Sequence, residues 1–193
     1  MLKKIRIALW VAVAVSLVGV GALLWRADRQ EQAAAFKPEF SLPDEAGTVR
    51  TAEEFRGKHL LVFFGFTNCP DVCPTTMAEV AQVMDDLGPE AEDVQPLFIS
   101  VDPARDRESG LGEYLAAFHP SILGLAGDKA ATKSAVNSFK VFGDRQEDAS
   151  APGGYTMSHS SSLYLLGPRG EWLRQFEYGT PADDIIADLK GRL

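Results

Sequence analysis

The stretch HLLVFFGFTNCPDVCPTTMAEVAQVMDDLGP, residues 59–89, passes from one periodicity to another. His59 to Phe66 is a continuous apolar run, short enough for a strand buried on both faces. From Pro74 to Leu87, apolar residues recur at Met77, Val80, Ala81 and Met84. That is helical spacing, and Gly88-Pro89 ends it. Between the two lies GFTNCPDVCPTTM (65–77), with the chain's only cysteines, Cys69 and Cys73. Pro74 suits the first helical position, which makes Cys73 the expected cap residue. A residue before proline is steered away from helical angles, so both cysteines are expected on a loop turning into the helix.

Outward from this unit the alternation continues. Pro96 to Val101 (PLFISV) reads as a second buried strand. Arg107 to Phe118 carries Leu111, Tyr114, Leu115 and Phe118 at helical spacing. Ile122 to Ala126 is a third short strand, and Lys129 to Phe139 a third helix. Asp144 to Gly154 (DRQEDASAPGG), charged and then Gly/Pro-rich, reads as a mobile loop. Ser161 to Leu166 and Glu171 to Tyr178 form a hairpin about Gly167-Pro168-Arg169-Gly170, and Asp183 to Leu189 closes the chain as a helix. Upstream, Phe40 to Leu42 and Thr48 to Arg50 flank a turn at Asp44 to Gly47. Strand–helix alternation followed by a hairpin and a last helix predicts an α/β sandwich with a mixed sheet, one domain over residues 36–193.

The N-terminus is of another kind. Ile7 to Trp25 is uncharged and as a helix would span about 28 Å, against a bilayer core of about 30 Å. Trp10 and Trp25 sit near its ends, and Lys3, Lys4 and Arg6 precede it, which places the C-terminal part outside the cytoplasm. A cleaved signal peptide has a shorter apolar stretch and a prompt cleavage site. Here the small-residue run Ala33-Ala34-Ala35 follows the polar segment Asp28 to Gln32. The expectation is a single-pass anchor over residues 1–26, a linker over 27–35, and a domain on the periplasmic side of a bacterial inner membrane. No Arg-rich amphipathic presequence points to an organelle.

Composition narrows the function. With 46% hydrophobic and 24% charged residues, the chain is no disordered polymer. Its net charge is −8, although the first 26 residues carry only bases. So acidic a domain repels nucleic acid; it is compatible with a soluble cation, a basic partner patch or plain solubility.

An extracytoplasmic domain built on structural disulfides would show more cysteines, and a bridge between residues four apart closes too small a loop to constrain the unfolded chain. The pair therefore reads as chemistry. Free N–H groups at a helix start favour the thiolate, which is both the reactive and the metal-binding form. Two thiolates at this spacing hold one ion or oxidise to each other. Of the three histidines, His59 and His119 read as structural or solvent-facing. His159, in YTMSHSSSLYLLGP (155–168), follows the expected loop and is either a ligand that swings onto an ion or a surface histidine. Two thiolates and an imidazole suit Cu(I) and also hold Cu(II) in a more open geometry. A structural zinc site wants a fourth protein ligand, and none is evident.

GFTNCPDVCPTTM (65–77), SVDPARD (100–106), LAGDKA (125–130) and SHSSSLYLLGPRG (158–170) together resemble the Sco/SenC family of copper chaperones that help assemble cytochrome c oxidase. The resemblance runs from the anchor through the domain, and the Cys-Pro-Asp-Val-Cys-Pro core is its specific mark. It implies a thioredoxin-like fold, copper held by Cys69, Cys73 and His159, and delivery to the dinuclear copper centre on the oxidase's copper-bearing subunit. Other copper chaperones and thioredoxin-like reductants are the further partners it implies. Two positions depart from the family pattern: Ser158 where many members have Asp, and Asn68 where some have His. Both bear on affinity and redox tuning. The competing class is an enzyme, a thiol–disulfide reductase or redox sensor acting through Cys69 and Cys73, although three residues rather than two separate the cysteines. Peroxide reduction also occurs on this fold, but nothing here singles it out. Asp71 is expected to cap the turn, Asp102 and Arg105 to shape the loop after the second strand, Asp106 to cap the next helix, and Met77 and Met157 to pack.

Overall fold

The structure is a computed structural model that describes residues 36–193 and, before them, residues 3, 6, 10 and 16–20. Residues 1–36 and 37–193 are separate compact units. In the first, the described residues before Phe36 are helical and exposed. Among the described residues no helix is long and apolar enough to cross a membrane. Most of the anchor expected over Ile7 to Trp25, and all of the linker over 27–35, lie outside the described residues.

The second unit opens with a small hairpin, β1 (Ser41–Pro43) and β2 (Val49–Thr51). The apolar run becomes β3 (His59–Gly65), buried at every residue. It lies mid-sheet, parallel to β4 (Val94–Ser100) on one side and antiparallel to β8 (Leu163–Leu166) on the other. With β5 (Leu123–Leu125) and β9 (Trp172–Phe176) the order is β5-β4-β3-β8-β9. This mixed sheet with flanking helices is the expected thioredoxin-like α/β arrangement. Continuous apolar strands are stable only where both faces are covered, and here helices cover them. Phe63, Phe64 and Phe98 are fully buried at its centre, each burial favourable by about 1.5–3 kcal/mol.

The helices are α1 (Val72–Leu87), α2 (Pro103–Glu108), α3 (Leu111–Ala116), α4 (Lys129–Phe139) and α5 (Ala182–Lys190). α1 buries Met77, Val80, Val83, Met84 and Leu87 on one face and packs against α5. It stops at Gly88, whose φ of 58° lies in the left-handed region, with Pro89 following.

Four expectations need correction. α1 starts at Val72, not Pro74, so Cys73 sits inside the first turn and Asp71 takes the cap position without a side-chain capping bond. The first four N–H groups of a helix need no intrahelical partner, so Pro74 in third place sacrifices no hydrogen bond. The helix expected over Arg107 to Phe118 is two short helices, broken at Gly110 with φ 74°. Asp106 does not cap a helix; it lies within α2 and is fully buried. Residues 144–154 are not a free loop: they supply most of one strand and the turn of a β-ribbon, β6 (Gly143–Glu147) against β7 (Tyr155–His159). The Gly/Pro cluster makes only its turn.

Candidate metal centre

The strand-to-helix turn brings the two cysteines together. Cys69 follows Phe66, whose carbonyl accepts its N–H at 3.2 Å, and is half-buried; Cys73 is fully buried. Because Cys73 occupies the second position of α1, its N–H is free of the helix ladder and donates to Cys69 Sγ at 3.3 Å. The third group comes from 86 residues further on: His159, at the end of β7, places Nε2 3.6 Å from Cys73 Sγ. The ligand atoms of Cys69, Cys73 and His159 all lie within 4.8 Å of one another, the one such grouping of His, Cys, Asp and Glu side chains among the described residues. His159 is thus a strand residue held in place rather than a loop residue that swings.

The imidazole is oriented by its neighbours. His159 Nδ1 lies 2.9 Å from the Ser160 carbonyl. A carbonyl only accepts, so Nδ1 carries a proton and Nε2 is the nitrogen turned to the sulfurs. The Ser160 backbone therefore provides an orienting contact of the kind an acidic neighbour would give, with Ser158 in the preceding position. Phe63 and Phe66 meet the ring edge-on, with centroids 5.8 and 5.7 Å away.

The two thiols are not equivalent. Cys69 is held down to about 4 because its sulfur accepts a hydrogen bond from the Cys73 thiol, against the effect of partial burial, with help from His159 and the backbone N–H groups of Cys73 and Asp71. Cys73 is pushed well up by that same shared hydrogen bond and by burial. The resting pair is a half-exposed Cys69 thiolate facing a protonated, buried Cys73. Such a pair, with an imidazole nitrogen beside it, can bind a soft ion through two sulfurs and a nitrogen, or present a nucleophile and a resolving thiol.

Other sequence candidates fall elsewhere. His59 is buried at the start of β3, and its imidazole is shifted down by burial. His119 engages Ser121 and Asp85. Met77 is core, and Met157 packs against the core. Asp102 and Arg105 pair at 3.2 Å beyond β4. The sequence reading missed the role of Asp106 and the part played by Gly65. Asp106 accepts the Thr67 N–H at 3.0 Å and the Thr67 hydroxyl at 2.8 Å, pinning the cysteine loop. At Gly65 a Cβ would lie 2.9 Å from Cys73 Sγ, so the absence of a side chain there makes the seat for that sulfur. A glycine inside an otherwise apolar strand run is the signal that could have found it.

Sheet order, a dithiol at a strand-to-helix turn and an imidazole from a second segment define a thioredoxin-like protein with a thiol-based metal or redox centre. Residues 28–193 match the SCO1/SenC family. A SCO2-like protein of Rickettsia felis is 36% identical over 153 residues, 79% of this chain and 75% of that one. The structure of Bradyrhizobium japonicum ScoI with copper bound is 36% identical and superposes with a TM-score of 0.75, covering 82% of this chain and 100% of that one. A SCO1/SenC family lipoprotein from Bacillus anthracis is 27% identical with a TM-score of 0.69, over 81% of this chain and 94% of its own. BsSco, described with a disulfide switch and as a member of the Sco family of cytochrome c oxidase assembly proteins, is 28% identical with a TM-score of 0.63, over 82% and 94%. The chain belongs to the SCO1/SenC family.

Proposed function

We propose that this chain binds one copper ion through Cys69, Cys73 and His159 and delivers it to the dinuclear copper centre of cytochrome c oxidase. The observation that carries this reading is the convergence of three soft or borderline ligand atoms within 4.8 Å, two from the loop and first turn of α1 and one from a strand 86 residues further on. Cu(I) suits two sulfurs and an imidazole; Cu(II) fits the same donors in a more open arrangement. The copper-bound relative and the oxidase-assembly role stated for BsSco support the assignment. The oxidase's copper-bearing subunit is the receiving partner, and other copper chaperones or thioredoxin-like reductants load and reduce the site. Residues 1–26 anchor the chain in a bacterial inner membrane, residues 27–35 link, and residues 36–193 work on the periplasmic side. The net charge of −8 makes nucleic acid no partner.

The unequal thiols favour a second reading, thiol–disulfide exchange on the cysteines of the same centre. A half-exposed thiolate with a buried resolving thiol is the arrangement such exchange requires.

The two separate on His159→Ala, tested in reduced full-length protein in detergent. The variant is expected to bind copper at least about tenfold more weakly while keeping disulfide exchange, which depends on the sulfurs. Oxidase assembly at low external copper is expected to fail with it. Normal assembly by a variant that has lost copper would transfer the role to thiol chemistry.

A further inference from the structure

The ligands of the proposed copper site arrive on two separate pieces of structure. Cys69 sits on the turn between β3 and α1 and Cys73 in the first turn of α1, both tied to the end of a main-sheet strand; His159 ends a ribbon whose strands, among the described residues, pair with each other. The ribbon's root is fixed where Phe142 and Ser160 exchange hydrogen bonds at 3.1 Å. Beyond that, its face toward α4 borders a cavity of about 700 Å³ whose walls include Val101, Val136, Gly143, Tyr155 and Met157. Dense packing is what ordinarily sets the position of an element to a fraction of an ångström, and on that side it is interrupted.

What holds the ribbon's other end is α2 with its cap residue Asp102. The Tyr155 hydroxyl donates to Asp102 Oδ1 at 3.1 Å, and Arg105 Nη2 donates to the Tyr155 carbonyl at 3.4 Å. Arg105 Nε pairs with Asp102 Oδ2 at 3.2 Å. The Tyr155 ring lies between two guanidiniums, those of Arg105 and Arg145, each 3.9 Å from its centroid. Tyr155, Met157 and His159 alternate along β7 and so share one face, with Tyr155 and His159 about 13 Å apart. One turn further along the same short helix, Asp106 accepts both hydrogen bonds from Thr67, two residues before Cys69, and a third from Ser100 at 2.6 Å.

We propose that α2 registers the two halves of the metal centre: Asp106 fixes the cysteine loop, and Asp102 with Arg105, by gripping Tyr155, fixes the strand that presents His159. These are positioning residues; they act through Thr67 and β7. The proposal rests on the copper-binding reading above and adds the residues that set its geometry.

The test uses reduced full-length protein in detergent, with Tyr155→Leu, which loses the stack and the hydroxyl, and Tyr155→Phe, which loses the hydroxyl alone. Copper(I) affinity is measured by chelator competition, the Cu(II) form by electron paramagnetic resonance, thiol–disulfide exchange by rate, and folding by thermal unfolding. Tyr155→Leu is expected to weaken copper about tenfold to a hundredfold, as loss of an orienting contact does elsewhere. It is also expected to change the Cu(II) hyperfine splitting and to leave thiol exchange at the wild-type rate; Tyr155→Phe falls between it and wild type. Adding Tyr155→Leu to His159→Ala is expected to cost no further copper affinity, because the tyrosine acts through the histidine. Wild-type affinity and spectrum in Tyr155→Leu overturn the proposal. So does a loss that adds in full to that of His159→Ala, or one in which thiol exchange and thermal stability fall in parallel. If the wild-type protein itself holds no copper, the copper reading fails and this proposal falls with it.

Discussion

Replacing Gly65 with alanine introduces a single methyl group at the floor of the dithiol. Its Cβ would lie 2.8 Å from Phe63 Cε1, 2.8 Å from Phe98 Cζ and 2.9 Å from Cys73 Sγ. Comfortable carbon contacts begin near 3.5–4.0 Å, so each neighbour must retreat by about 0.6–1 Å. Both rings are fully buried, as is Cys73. Overpacking of this kind costs about 1–3 kcal/mol. Part of that appears as lost stability. The rest appears at Cys73, the sulfur that sits 3.6 Å from His159 Nε2. Functional side chains must be held within about 0.5 Å of their productive positions, so a shift of this size is expected to weaken copper binding at least about tenfold. Chelator competition on the reduced full-length variant reads the affinity, and thermal unfolding reads the stability. Gly191→Ala serves as a control, because its nearest neighbours lie at an ordinary 3.5 Å and its φ is −75°. Wild-type affinity and midpoint in Gly65→Ala would refute the idea that the glycine makes the seat for Cys73.

Cys69→Ser and Cys73→Ser are each expected to abolish both tight copper binding and disulfide formation, since one pair of sulfurs serves both; a single variant with near-wild-type copper affinity places the site elsewhere. In the metal-free reduced protein, iodoacetamide is expected to modify Cys69 well before Cys73, with a rate that holds from pH 8 to about pH 5 because the Cys69 thiol is held down to about 4; a tenfold fall per pH unit over that range, as for an ordinary thiol, contradicts the assignment. The linkage sign follows. Folding lowers Cys69 from 9.0, so its contribution to stability is complete above pH 9 and is lost as pH falls toward 4; in denaturant titrations of wild type and Cys69→Ser, the wild-type advantage is expected to shrink on acidification. Carbonate washing of membranes is expected to leave the full-length chain in the pellet, and its release into the supernatant would remove the anchor proposed over Ile7 to Trp25.

Much of the architecture is legible in residue order because it rests on local periodicity. HLLVFFG can be stable only as a strand covered on both faces, and it pairs on both sides in mid-sheet. Lys129 to Phe139 reads as a helix from spacing alone and has those bounds in the fold. Errors gathered where tertiary contacts outweigh local preference. DRQEDASAPGG has the composition of a free loop, yet its first residues pair with Thr156, Met157 and Ser158. Asp106 has the look of a surface cap, yet the fold buries it against Thr67 and Ser100.

The cysteine pair, its place between a strand and a helix, and the soft chemistry of two thiols with a histidine in reserve follow from residue identity and spacing, because bond length and helix geometry confine residues four apart to one neighbourhood. No such confinement links Cys73 to a histidine 86 residues away; only the tertiary placement of the β6–β7 ribbon brings Nε2 to the sulfur. The same holds for the inequality of the two thiols. It depends on which sulfur is buried and which faces the free N–H groups of α1, and burial is a property of the packed chain. The orientation of the imidazole, set by the Ser160 carbonyl and two phenylalanine edges, is likewise absent from any linear pattern, since it arises where three separate segments meet.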